Sequence, residues 1–132
     1  MYNKVFIVDD DEVSIFLTEA ILEAESFATE CKGFLDAKTA LQNLLDSAKG
    51  SSEDALPEVI FLDLNMPFLS GWDFLEALSP YEQALKGRCR IYLLTSSVDE
   101  QERTRAAGTS LVAGFLQKPL EDEWIMQLKE SC

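Results

Sequence analysis

The chain has 132 residues, of which 47% are hydrophobic and 27% charged, with a net charge of −13 and no histidine. This length fits one domain with a sizeable core. The charge argues against nucleic acid and anionic membranes as partners, because both would repel the chain.

The types of residue present exclude several kinds of active site and metal site. Without histidine, most metal-hydrolase and Ser-His-Asp schemes are excluded. The cysteines lack C-x-x-C spacing, which indicates a reducing, cytoplasmic protein with no disulfide framework and no cysteine zinc site; they are Cys31, Cys89 and Cys132. No apolar run is long enough to cross a membrane, and the N-terminus lacks a signal-peptide pattern.

The first apolar run, Val5–Val8, predicts a strand that ends in a cluster of acidic residues. Asp11 and Glu12 suit the N-cap and first turn of a helix, but this role accounts less well for Asp9 and Asp10. The following helix carries an apolar stripe that we expect to face the core, formed by Val13, Phe16, Leu17, Ala20, Ile21 and Ala24.

A weaker strand over 27–34 has the polar mixture of an edge position, and Asp36 is a candidate N-cap for the second helix. We expect Gly50 to end that helix and residues 49–54 to form an exposed loop. The apolar stripe of this helix consists of Ala37, Ala40, Leu41, Leu44, Leu45 and Ala48.

The run Val59–Leu62 is uninterrupted and apolar, which predicts a third strand buried on both faces. Asp63 follows at its carboxyl end, where open α/β sheets bind ligands. For one aspartate taken alone, a structural role in capping the next turn would be the favoured alternative.

Ser70-x-x-Asp73 resembles a capping box and predicts the start of a third helix, with Leu75, Leu78 and Tyr81 on its period. Pro80 either breaks that helix near Ser79 or begins a second helical piece.

Residues 89–94 predict the fourth strand, which ends at Thr95 and Ser96. Ser97-x-x-Glu100 is a second capping-box candidate, and the mostly polar helix after it should pack loosely. That helix is a candidate moving or partner-binding surface, with a merely solvated helix as the alternative.

Residues 111–116 predict the fifth strand, which is followed by Lys118. A fifth helix should run from about Glu121, with Leu120, Trp124 and Leu128 on its inner face. Five β-α repeats predict an α/β fold, a doubly wound parallel sheet with strand order 2-1-3-4-5. Neither G-x-G-x-x-G nor a P-loop is present, which disfavours a dinucleotide site.

Carboxylates, a hydroxyl and a lysine therefore end four of the strands and should meet at one edge of the sheet. Buried carboxylates are costly without compensation, so the pattern implies a divalent cation. Hard oxygen ligands without histidine or cysteine favour Mg²⁺. A carboxylate beside Mg²⁺ and a lysine can act as a nucleophile toward phosphorus.

These residues carry a family resemblance along nearly the whole chain. The sequence resembles the receiver domain of two-component response regulators, of the single-domain, chemotaxis-regulator-like type. The matching fragments are Val8-Asp9-Asp10, Leu62-Asp63-Leu64-Asn65-Met66-Pro67 with Gly71 four residues on, Leu94-Thr95-Ser96, and Phe115-Leu116-Gln117-Lys118-Pro119.

The resemblance implies a flavodoxin-like (βα)5 fold and a phosphoacceptor role for Asp63, which would take a phosphoryl group from phosphohistidine on a sensor kinase or phosphotransfer protein. Lys118 would pair with Asp63 and then with the phosphoryl group, and Thr95 would hydrogen-bond a phosphoryl oxygen. Mg²⁺ would be bound by Asp9, Asp10, Asp63 and Asn65, with Asp9 acting mostly through water and Asn65 through its backbone carbonyl.

The resemblance also implies a switch. Phe115 matches the aromatic that turns inward when Thr95 moves, although it lacks the tyrosine hydroxyl often found there, so its coupling must rest on packing. The Lys118–Pro119 peptide would be cis, as in that family. Phosphorylation would then shift the conformational equilibrium toward the active arrangement of the surface formed by helix 4, strand 5 and helix 5.

We therefore expect residues 1–132 to form one receiver domain, a monomer or weak dimer that accepts and loses its own phosphoryl group and does not turn over an external substrate. A fragment of a larger protein would have the same sequence. An Asp-nucleophile phosphatase of the haloacid-dehalogenase type is disfavoured, because Asn65 stands where that type has a second aspartate. A phosphorylation-independent interaction module with the same fold is the other alternative.

Overall fold

Five parallel strands form one sheet in the computed structural model, which describes residues 2–48, 57–64, 69–85, 89–95, 99–109, 111–118 and 125–127. The strands are β1 (Tyr2–Val8), β2 (Ala28–Phe34), β3 (Val59–Asp63), β4 (Arg90–Thr95) and β5 (Val112–Gln117). Their order is β2-β1-β3-β4-β5, and every pairing is parallel. This confirms the predicted doubly wound α/β sheet and the edge position of β2.

β3 is the centre of the molecule and is buried along its entire length. Its side chains alternate between two apolar layers, so that Ile60 and Leu62 belong to one layer while Val59 and Phe61 belong to the other. Neither face of this strand reaches water, which is why its sequence is continuously apolar instead of alternating.

Helix α1 (Glu12–Ala24) begins as predicted, since the Asp11 carboxylate accepts a hydrogen bond from the backbone N–H of Val13 at 3.0 Å. The predicted core stripe of this helix is wrong. Three of its members face solvent, with 63% of Val13, 68% of Phe16 and 50% of Leu17 exposed. Ala20 and Ala24 are exposed as well, and Ile21 is the member that packs partly against the core.

The buried face of α1 is formed instead by Ile15, Thr18 and Leu22. A glycine of the neighbouring strand explains this choice. A Cβ at Gly33 would lie 2.6 Å from Cγ2 of Ile15, so the missing side chain provides the space in which Ile15 packs. The helix therefore turns its Ile15 face to the sheet and leaves the longer apolar stripe in water.

Helix α2 (Ala37–Ala48) follows the prediction. The Asp36 carboxylate accepts a hydrogen bond from the backbone N–H of Lys38 at 3.0 Å, as an N-cap does. The described members of the predicted stripe face the core: Ala37, Ala40 and Leu44 are buried, and Leu41 and Leu45 pack partly against the same apolar layer. The side chain of Ala48 is outside the described part of the chain. Gly50 and the 49–54 loop lie outside the described residues.

Helix α3 (Gly71–Leu78) begins with the predicted capping box. Ser70 and Asp73 each accept a hydrogen bond from the other's backbone N–H. Pro80 lies in a 3-10 turn, Ser79–Tyr81, which leads into one helical turn, Glu82–Leu85. The proline thus begins a second piece, the position at which its missing N–H costs least.

Helix α4 (Glu100–Ala107) begins later than predicted. Its N-cap is Asp99, whose carboxylate accepts the N–H of Gln101 at 2.8 Å, so the predicted start at Ser97 is wrong. An aspartate directly before the helix supplies the same acceptor as serine. The expected thin anchoring is present, because Ala106 is the buried residue of this helix.

Most of the predicted fifth helix, including Leu120, Trp124 and Leu128, lies outside the described residues. Residues 125–127 are helical, and Ile125 is fully buried in the layer that contains α1. None of the described helices combines the length and apolar character that crossing a bilayer requires.

Candidate functional site

Three carboxylates meet at the carboxyl edge of the sheet. Asp9 follows β1, Asp10 is next to it, and Asp63 ends β3, and one oxygen from each lies within 4.8 Å of the others. Asp9 is 1% and Asp63 5% exposed, whereas Asp10 faces solvent. The geometry follows from the topology, because β1 and β3 are neighbours and run in the same direction.

Lys118 supplies the compensating positive charge. Its ammonium nitrogen lies 2.5 Å from Oδ2 of Asp9 and 3.5 Å from Oδ2 of Asp63. Its backbone N–H donates to the carbonyl of Thr95 at 2.7 Å, which ties the end of β5 to the end of β4. The family resemblance implied that Lys118 pairs with Asp63, and in the structure its shorter contact is to Asp9.

The charge of Asp9 is well supported despite its burial. Burial raises the pKa of the Asp9 carboxyl group, but hydrogen bonds from Lys118, the Asp11 backbone and Ser14 lower it. The net pKa lies below the ordinary value of 3.8, so Asp9 is ionised at neutral pH.

The predicted hydroxyl lies on β4, the strand next to Asp63, and the predicted aromatic lies on β5, one strand further out. Thr95 ends β4 and is fully buried, one residue beyond Leu94, which pairs with Asp63. Phe115 lies on β5 and packs partly against the apolar layer of α2 and α3. The guanidinium carbon of Arg103 in α4 lies 5.8 Å from the centre of the Phe115 ring.

The segment after Asp63 is held by a close backbone approach. The N–H of Gly71 donates to the carbonyl of Leu64 at 3.1 Å. A Cβ at Gly71 would lie 3.0 Å from Cα of Leu64 and 3.1 Å from the carbonyl oxygen of Asp63, so glycine is the residue that fits. The start of α3 therefore positions the backbone that carries Asp63.

The remaining predicted site residues, Asn65 and Pro119, lie outside the described residues. One feature was missed by the sequence reasoning: Trp72, which contacts α4 through Glu102 and Arg105. Its sequence signal was weak, because a tryptophan in the first turn of a helix does not indicate what it contacts.

The donor set fits Mg²⁺. Mg²⁺ binds carboxylate oxygens and keeps several water ligands, and three carboxylates with one exposed to solvent supply both needs. The described site contains no thiol: Cys31 lies on the edge strand β2, and Cys89 is buried before β4. Burial raises the pKa of the Cys89 thiol to about 12, which keeps it protonated.

Comparison of the chain with known proteins identifies the family to which it belongs. The family model described as the response regulator receiver domain matches residues 5–129. The chain belongs to the response regulator receiver family. Receiver domains of this kind are part of two-component signalling.

Individual relatives agree. The hybrid signal transduction histidine kinase C of Dictyostelium discoideum is 28% identical over 98% of this chain and 10% of its own length. The virulence-factor transcription regulator BvgA of Bordetella pertussis is 31% identical over 89% of this chain and 50% of its own length. The receiver chain thus spans half or less of these relatives.

Solved receiver structures match the fold. A response regulator receiver protein from Dyadobacter fermentans is 28% identical with a TM-score of 0.81, covering 97% of this chain and 95% of that one. A two-component response regulator from Cytophaga hutchinsonii, 24% identical, shares the fold with a TM-score of 0.87 over 98% and 96% of the two chains.

Proposed function

We propose that this receiver domain accepts a phosphoryl group on Asp63 from a phosphohistidine, with Mg²⁺ bound at the acidic site. The observation that carries the proposal is the convergence of three carboxylates within 4.8 Å, with Lys118 3.5 Å from the Asp63 carboxylate. A purely structural aspartate would need one partner, whereas this cluster has three carboxylates around one lysine and so carries the negative charge that a cation would compensate.

The proposed reaction follows from the site chemistry. An Asp63 carboxylate oxygen attacks phosphorus, so that an O–P bond forms while the P–N bond to the donor imidazole breaks and its electron pair returns to that nitrogen. Mg²⁺, held by Asp9, Asp10, Asp63 and Asn65, would neutralise charge on the phosphoryl oxygens when bound. Lys118 supplies a second positive charge to the same oxygens.

Lys118 must change partners in this scheme. Its ammonium group contacts Asp9 at 2.5 Å in the structure, and a cation at the acidic site would compete for that same carboxylate. With a cation bound there, the ammonium group would pair mainly with Asp63, from which it lies 3.5 Å away, and so face the position of the phosphoryl group. Thr95, at the end of the adjoining strand, donates its hydroxyl to a phosphoryl oxygen, and the pull on Thr95 shifts Phe115 and α4.

The same proposal identifies the side of the molecule that a protein donor approaches. Val13, Phe16 and Leu17 project from the first turns of α1, directly after the acidic residues. Exposed apolar side chains grouped beside a reactive site are typical of protein–protein contacts. A histidine kinase or phosphotransfer protein with an apolar surface and a basic rim would complement them. Such a partner and the free cysteines are in keeping with the cytoplasm.

Intact mass after incubation with acetyl phosphate and Mg²⁺ tests the proposal. We expect the wild-type chain to gain one phosphoryl group and Asp63→Asn to gain none. Asp11→Asn is the matched control, because asparagine also caps α1 and the site carboxylates stay in place.

Labelling of Asp63→Asn to the wild-type extent would refute the assignment. Absence of labelling in the wild-type chain, with fold and Mg²⁺ binding intact, would instead favour a phosphorylation-independent interaction module.

A further inference from the structure

Helix α4 is weakly attached to the rest of the domain. Its buried side chain is Ala106, and the residues around it are mostly charged and exposed. An open cavity of about 310 Å³ lies between this helix and β5, lined by residues that include Arg103, Ala107, Gly114 and Phe115. Close-packed interiors hold an element through many small contacts, and α4 has few of these.

One aromatic side chain of α3, Trp72, contacts two residues of this helix. The indole N–H of Trp72 donates to Oε2 of Glu102 at 3.2 Å. The guanidinium carbon of Arg105 lies 4.3 Å from the centre of the Trp72 ring, within the range of a cation–π interaction. Both contacts depend on the position of α4 relative to α3, so a displacement of α4 would break or lengthen them.

Trp72 is also close in the chain to the phosphoacceptor. It follows Gly71, whose N–H is bonded to the carbonyl of Leu64, and Leu64 follows Asp63. The backbone that carries Asp63 and the side chain that holds α4 therefore belong to one short, hydrogen-bonded unit. This connection is separate from the one through Thr95 and Phe115.

We propose that Trp72, Glu102 and Arg105 form a latch that holds α4 in its resting position and sets how readily the domain is activated. The latch rests on the proposed function, since its opening is driven by a phosphoryl group at Asp63. All three are positioning residues, because they act through α4 and touch no reacting atom. A contact made only in the resting state lowers the population of the active state and weakens the apparent affinity for any ligand that favours it.

Beryllofluoride, an analogue of the phosphoryl group, tests the latch by titration calorimetry in excess Mg²⁺. We expect Glu102→Gln and Arg105→Gln each to tighten beryllofluoride binding by about three- to tenfold, because the first leaves the indole N–H with a weaker, uncharged acceptor and the second removes the cation–π contact. Glu100→Gln is the matched control, because it removes the same charge from the same helix two residues away, on a different side. We expect it to change binding by less than about twofold.

Fluorescence provides a readout that a merely structural role would not move. The chain has two tryptophans, so Trp124→Phe leaves Trp72 as the sole emitter. In that background we expect saturation with beryllofluoride to change the emission of Trp72. Adding Glu102→Gln should shift the unliganded emission toward the saturated value.

Two results separate the latch from the function beneath it. If beryllofluoride binds the wild-type chain but Glu102→Gln and Arg105→Gln match Glu100→Gln, the latch is wrong and the phosphoacceptor assignment stands. If beryllofluoride does not bind the folded wild-type chain in Mg²⁺, the phosphoacceptor assignment itself is wrong and the latch is wrong with it.

Discussion

Replacing Gly71 with alanine should separate the position of Asp63 from its chemistry. The new Cβ would lie 2.9 Å from Cδ2 of Leu64, 3.0 Å from its Cα and 3.1 Å from the carbonyl oxygen of Asp63. The Leu64 side chain can rotate away, but the two backbone atoms cannot, so the segment between Asp63 and α3 must shift by a few tenths of an ångström.

Overpacking of this kind costs about 1–3 kcal/mol in the free energy of unfolding, which leaves a domain of this size folded. The larger effect should be on phosphorylation. A displaced nucleophile loses alignment with the incoming phosphorus, and we expect the rate of labelling by acetyl phosphate to fall by about 10- to 100-fold.

Urea unfolding gives the stability change, and the time course of intact mass gives the rate. Gly108→Ala is the control. Gly108 ends α4 with a φ of −87°, and the nearest atoms to an added Cβ are backbone oxygens at 3.7 and 3.8 Å. Alanine fits there, so we expect no loss of stability and a normal rate. If Gly71→Ala matched Gly108→Ala in both assays, the backbone of Leu64 would not position Asp63 as we argue.

Three further predictions follow from the charge of the site and the surface beside it. Lys118→Met removes the cation shared by Asp9 and Asp63 and should lower the free energy of unfolding by about 2–3 kcal/mol. Urea unfolding with and without MgCl₂ should show that Mg²⁺ stabilises this variant more than it stabilises the wild type. Equal stabilisation of the two proteins would contradict the role of Lys118 as the shared cation. Because the pKa of Asp9 is lowered from 3.8 on folding, the ionised carboxylate stabilises the folded state above pH 3.8, and this contribution is lost as the pH falls through the lower folded-state pKa. In Asp9→Asn, the free energy of unfolding, followed by circular dichroism, should therefore depend less steeply on pH below 3.8. An unchanged slope would contradict the stabilising role of the Asp9 charge. Phe16→Ser should slow transfer from a phosphorylated histidine phosphotransfer domain by about tenfold or more, as loss of an interface anchor does, while the rate of labelling by acetyl phosphate stays within about twofold. The control Ala24→Ser, at the far end of α1, should leave both rates unchanged. Equal slowing with the two donors would show that Phe16 acts on the phosphorylation site and not on docking of the protein donor.

The error in α1 shows where sequence patterns stop being sufficient. The helix has two apolar faces at helical spacing, one through Phe16 and one through Ile15 and Leu22. Periodicity predicts that one of them is buried but does not rank them. Which face is buried depends on Gly33 of β2, because the absence of a side chain there leaves space for Ile15.

The start of α4 is a smaller case of the same kind. Ser97 and Asp99 are both chemically able to cap the helix, and spacing to Glu100 favoured Ser97. The structure caps the helix with Asp99, because its carboxylate reaches the N–H of Gln101. Local chemistry therefore predicted that a cap exists, and the geometry of the chain selected which residue provides it.

The sequence by itself determined the sheet and the meeting of its acidic strand ends. A continuously apolar β3 must be central, and parallel strands necessarily bring their carboxyl ends, with Asp9 and Asp63, to one edge. The tertiary structure alone decided that Lys118 lies nearer Asp9 and that Trp72 contacts Glu102 and Arg105 of α4. Those contacts join residues far apart in the chain, and their distances depend on how whole elements pack, which no local pattern encodes.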